Sequence, residues 1–71
     1  MVTETYHVPA ISCGHCVMAI ERELKELEGV VDVKADEQTK HVTVTYQEPA
    51  TPDKIAALMD EIGYPIAERL N

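Results

Sequence analysis

Only two cysteines occur in the chain, Cys13 and Cys16, and they form one C-x-x-C with Gly14 and His15 between them. Thiolates bind soft metals, exchange with disulfides and attack electrophiles, so this short stretch is where chemistry can reside. A structural disulfide fits poorly, because a bridge between Cys13 and Cys16 closes a very short loop and constrains the unfolded chain little. Small secreted domains that rely on such staples carry four or more cysteines. Two buried hydrophobes fit poorly as well beside Ser12, Gly14 and His15. Ligand number sorts the metals. Structural zinc takes four protein ligands, and the sequence has neither a second C-x-x-C nor a paired histidine motif. Iron–sulfur clusters take four cysteines. Haem attachment needs C-x-x-C-H, whereas Val17 follows Cys16. Two thiolates serve soft, low-coordinate Cu(I) best, and Hg(II) on the same grounds. His7 and His41 have no ligand spacing to the pair and read as solvated or half-buried strand residues.

The elements around the pair follow from periodicity. Thr3 to Val8 is rich in β-branched and aromatic residues, with Tyr6 and Val8 on one face, and Pro9-Ala10 ends that strand. From His15 to Glu28, Val17, Ile20, Leu24 and Leu27 share one helical face. The other side carries Glu21, Arg22, Lys25 and Glu26, and the Glu21–Lys25 spacing predicts an i,i+4 ion pair. Gly29 stands where a left-handed C′ residue belongs. Val31, Val33 and Ala35 alternate in a second strand, and Val42, Val44 and Tyr46 in a third, with a polar turn over Asp36 to Thr39. Thr51 and Pro52 cap a second helix with the apolar face Ile55, Leu58, Met59 and Ile62, which Gly63 stops. Tyr64 to Leu70 is a short last strand, and Pro65 favours an edge position. The order β-α-β-β-α-β predicts an α+β, ferredoxin-like sandwich, with two helices on one face of a four-stranded antiparallel sheet. Residues 1–71 are expected to form a single domain.

This layout puts Cys13 in the loop after the first strand and Cys16 in the first turn of the helix. The helix N-terminus favours thiolate, most of all at Cys16. Gly14 is expected to give the loop backbone angles barred to other residues. His15 is expected to face solvent at the rim, since adjacent helical residues point in different directions.

Composition narrows the function further. With 71 residues the chain buries only about 60% of its unfolded surface. It has no Trp, no Phe and three Tyr, which leaves little means of enclosing a substrate. The formal charge of −7 repels phosphate backbones and anionic lipid, so nucleic-acid and membrane roles are not expected. The longest apolar runs, Cys16 to Ile20 and Ile55 to Met59, are far too short to span a bilayer. The amino terminus lacks the basic and apolar regions of a signal peptide, pointing to a cytoplasmic protein.

The stretch Ile11-Ser12-Cys13-Gly14-His15-Cys16, the helix ending Leu27-Glu28-Gly29-Val30, and the late Ile62-Gly63-Tyr64 resemble the heavy-metal-associated domain family. The likeness is greatest to its branch of small, free-standing bacterial copper chaperones and covers essentially the whole chain. The resemblance implies a non-enzymatic carrier, with Cu(I) held by Cys13 and Cys16 and delivered to a copper-transporting P-type ATPase. It also implies exchange with a copper-responsive repressor and a tyrosine, Tyr64, beside the metal. Ile11 stands where the family usually has Met, a buried anchor of the loop, and keeps a similar apolar volume. His15, Tyr64 and Ile11 are thus the surrounding candidates. A monomer without metal and a copper-bridged dimer with it are both compatible with one exposed pair. Cys-Gly-His-Cys is also a redox-active sequence in thioredoxin-like folds, so a thiol–disulfide oxidoreductase is the rival from another class. Ser12, where that class would have an aromatic such as Trp, argues against it. A carrier of Hg(II), or a module of a larger ATPase, would have the same fold and site. The chain's beginning at Met1 favours the free-standing form.

Overall fold

The computed structural model describes residues 1–70. Six elements follow in order: β1 (Val2–His7), α1 (Gly14–Lys25), β2 (Val30–Asp36), β3 (His41–Tyr46), α2 (Pro52–Glu61) and β4 (Glu68–Arg69). The sheet has the order β2-β3-β1-β4 and every neighbouring pair is antiparallel. This is the ferredoxin-like arrangement expected of the sequence, with β3 filling the gap left between β1 and β2.

Alternation along the strands puts Tyr6, Val8, Val33, Val42, Val44 and Tyr46 into one core with Ile20 and Leu24 of α1 and Ile55 and Met59 of α2. Burying each large aliphatic side chain contributes roughly 1.5–3 kcal/mol, enough to fix both helices against the sheet. Thr51 Oγ1 accepts the Lys54 N–H at 3.2 Å and caps α2, whose first residue is Pro52. Gly29 has φ +99°, and a Cβ there would lie 2.6 Å from Ala50 N and still closer to Gln47 O. Both the backbone angle and the close approach of the segment after β3 therefore require glycine.

Four local expectations give way to tertiary packing. Helix α1 ends at Lys25 rather than Glu28, because its last turn tightens: Leu27 N donates to Leu24 O at 3.0 Å and Val30 N to Leu27 O at 3.1 Å. Val31 is 49% exposed, since the β2–β3 register slips between Val30 and Asp32 and a bulge displaces it from the core face. The Glu21–Lys25 pair does not form. Glu21 Oε2 instead accepts the Ala35 N–H of β2 at 3.1 Å, which ties α1 to the edge of the sheet. The last strand is only Glu68–Arg69, although Ala67 N and Leu70 N donate to His7 O and Thr5 O at 2.8 Å. Pro65 has no N–H to give a ladder, and Tyr64 is drawn toward the cysteine loop.

Candidate metal centre

The loop that follows β1 is held from three sides. Ile11 is fully buried, anchoring the loop in the core as a side chain of Met volume would. Its carbonyl accepts a hydrogen bond from Lys40 Nζ, and its N–H donates to Val8 O at 3.2 Å. Lys40 ends the β2–β3 turn in a left-handed conformation, φ 62°, so the turn itself reaches across to brace the loop. Sequence reading missed this residue. The contact spans 29 positions and no local pattern announces it.

Cys13 is the N-cap residue of α1 in an extended conformation, exposed and making no side-chain cap bond. Its carbonyl receives the N–H groups of Cys16 at 3.1 Å and Val17 at 3.3 Å, which starts the helix and turns Cys16 back toward it. The two sulfurs lie 3.7 Å apart as free thiols, well beyond the roughly 2.05 Å of a disulfide. Cys16 is 9% exposed. Its thiol is lowered to about 6, chiefly by the Tyr64 hydroxyl beside it. The Ser12 backbone N–H and hydroxyl add to the effect, burial opposes it, and the Cys13 thiol contributes a smaller lowering. Ser12 Oγ stands 3.8 Å from Cys16 Sγ. The Tyr64 hydroxyl moves the opposite way and is raised, because its neutral form is favoured beside the Cys16 sulfur. No acidic side chain occupies the first turn of α1, so nothing there opposes thiolate.

Tyr64 reaches Cys16 because α2 ends abruptly: Gly63 takes φ +91° and Tyr64 N donates to Met59 O at 2.8 Å. His15 is exposed and lines a shallow groove on the outer face of α1 with Met18, Ala19 and Arg22. Gly14 does not have the special backbone angle expected of it. It is the first residue of α1, and an added Cβ would meet only Glu37 Oε1 at an ordinary 3.9 Å. Among the described residues, no group of three or more His, Cys, Asp or Glu side chains is placed to hold a metal. What the loop offers is a pair of sulfurs, one exposed and one held toward thiolate, at the end of the molecule.

The family model of the heavy-metal-associated domain matches residues 5–65. The COP-associated protein of Helicobacter pylori strain J99 is 46% identical over 57 residues, covering 79% of this chain and 86% of that one. The copper chaperone CopZ of Bacillus subtilis is 33% identical over 96% of this chain and the whole of its own length. The periplasmic component of a mercuric transport protein from Pseudomonas aeruginosa is 30% identical, over 89% of this chain and 70% of its own. Among solved structures, that of a CopZ metallochaperone superposes with a TM-score of 0.86 at 26% identity, covering 92% and 98% of the two chains. With its cysteine loop, its β-α-β-β-α-β order and a match over most of its length, the chain belongs to the heavy-metal-associated domain family.

Proposed function

We propose that this chain is a cytoplasmic copper chaperone, a single domain over residues 1–71 that carries one Cu(I) between Cys13 and Cys16. Its terminal residue, Asn71, lies outside the described residues. The observation that carries the reading is the pair of sulfurs 3.7 Å apart, with Cys13 exposed and Cys16 stabilised as thiolate. A linear two-coordinate ion sits between its two sulfurs and holds them farther apart than the 3.7 Å seen here. The pair therefore opens to take such an ion. Cys13 can make that movement, because its side chain carries no cap bond and is exposed. Cys16, gripped by Tyr64 and Ser12, supplies the fixed sulfur.

Release uses the same asymmetry. A first partner thiolate forms a bond to the exposed ion as the bond to Cys13 breaks, and a second forms as the bond to Cys16 breaks, so that both sulfurs leave as thiolates and the ion ends on the partner. Copper stays Cu(I) throughout, so no electron is exchanged. The partner that suits this step is the metal-binding domain of a copper-transporting P-type ATPase, with a copper-responsive repressor as a second acceptor. The apo chain is a monomer; a second copy sharing the ion through its own cysteines gives a copper-bridged dimer.

A second reading, Hg(II) carriage, is favoured by the likeness to the mercuric transport component and uses the same two thiolates. Redox catalysis is disfavoured by geometry. The thiolate sits on the inner sulfur, 9% exposed, whereas exchange with a disulfide needs an accessible attacking thiolate. Mixing the Cu(I)-loaded chain anaerobically with an apo ATPase metal-binding domain tests the carrier reading. Copper is expected to redistribute within mixing time, and retention on this chain despite a tighter acceptor would refute it.

A further inference from the structure

The face of the sheet opposite the helices carries side chains that the cysteine loop does not use. Register sets Thr3 opposite Thr45, Thr5 opposite Thr43 and His7 opposite His41. The threonine pairs close on themselves, with Oγ1 atoms 3.1 and 3.2 Å apart. The last pair is two half-buried imidazoles, ring centres 5.8 Å apart and edge to face at 77°. Register extends this row in both directions, with Glu68 beside His7 on β4 and Asp36 beside His41 on β2. One transverse row thus reads Glu68, His7, His41, Asp36 across all four strands.

We infer that His7 and His41 form a second cation site, separate from the thiols, for a borderline divalent ion of the Zn(II) class. Imidazole nitrogen suits such ions. An ion about 2.1 Å from one nitrogen of each ring holds the two ring centres roughly 5 to 6 Å apart, the spacing already present. The strands fix the two histidines at paired backbone positions, and the edge-to-face rings turn about their side-chain torsions to aim one nitrogen each at the ion. Carboxylates at both ends of the row and a chain charge of −7 favour a cation. Asp36 Oδ1 is engaged by the Gln38 and Thr39 N–H groups at 2.8 and 3.4 Å, so this carboxylate supplies field more than ligation. Lys34 lies on the same face opposite Thr43, and Lys40 is turned onto Ile11 O. A depression of about 310 Å³ on the β2 side of His41, lined also by Thr5, Lys34, Asp36, Thr39 and Thr43 and not by His7, leaves room for water on that side. With no third ligating side chain among the described residues, the site is exchangeable.

The test uses the full chain with Cys13→Ser and Cys16→Ser, so that the thiols do not compete. Zn(II) is titrated at about pH 7.5, above the usual imidazole value of about 6.5, while NMR follows each histidine's ring protons. The His7 and His41 signals should shift saturably with one equivalent while His15 stays in place. His7→Gln and His41→Gln should each abolish the shift with the sheet amide pattern retained. If either variant loses that pattern, the ring shifts of its parent decide alone. No saturable shift, a shift confined to His15, or one that survives His41→Gln overturns the site.

Discussion

Tyr64→Phe removes one hydroxyl and keeps the ring that packs against the core, so it isolates the largest cause of the lowered Cys16 thiol. With Cys16 at about 6, half of it is thiolate at pH 6. The Ser12 donors remain in the variant and hold the thiol below the unperturbed value of about 8.5. A rise to about 7 would leave about a tenth as thiolate at pH 6, and alkylation proceeds through the thiolate. The rate of iodoacetamide capture at pH 6 should thus fall about fivefold, and the midpoint of the rate–pH curve should move upward. Both proteins are compared in a Cys13→Ser background, so that a single sulfur is read. A variant whose curve overlays that of its parent would show that the Tyr64 hydroxyl does not hold the thiolate, and would remove Tyr64 from the site.

The same lowered thiol links stability to pH. Between the folded value near 6 and the unfolded value near 8.5, the unfolded chain binds more protons, so the apo Tm should rise with pH across that window. It should flatten in Cys16→Ser. Gly29→Ala combines a left-handed backbone with a clash against Gln47 and Ala50, and should cost about 2–5 kcal/mol in urea unfolding. Gly63→Ala has the same backbone angle with open space around the Cβ and should cost about 1–3 kcal/mol, so equal losses would refute the packing argument. Ile11→Met should change stability by less than about 1.5 kcal/mol and leave copper stoichiometry as it was, since Ile11 is wholly interior. A gain in Cu(I) affinity would place that side chain at the metal. Transfer to a partner with a basic patch should slow as salt rises, because screening at 0.15 M acts within about 8 Å; a flat dependence would assign the acidic surface to solubility.

Strand and helix order, and with it the sheet order, was legible because two amphipathic helices and three alternating strands each carry a period that fixes their buried face, although α1 stops before Gly29. The cysteine loop was legible for a different reason: two sulfurs at that spacing have few chemical uses. What escaped reading depends on contacts distant in sequence. Glu21 has a lysine at i+4 yet takes a backbone N–H from β2. Lys40 looks like a solvated turn residue until the turn folds over Ile11. Val31 fits the alternation and is displaced by a bulge that no residue type announces. The Ser12 contribution also escaped, although its hydroxyl stands 3.8 Å from Cys16 Sγ.

The central claim is that Cys13 and Cys16 together hold one soft monovalent ion. Anaerobic titration of Cu(I) against a competing chelator, repeated with Zn(II) and with the Cys13→Ser/Cys16→Ser protein, tests it directly. The expected result is tight uptake of one Cu(I) per chain, much weaker Zn(II) binding at the thiols, and loss of Cu(I) uptake in the double variant with its fold retained. Unchanged Cu(I) affinity without the two sulfurs would contradict it.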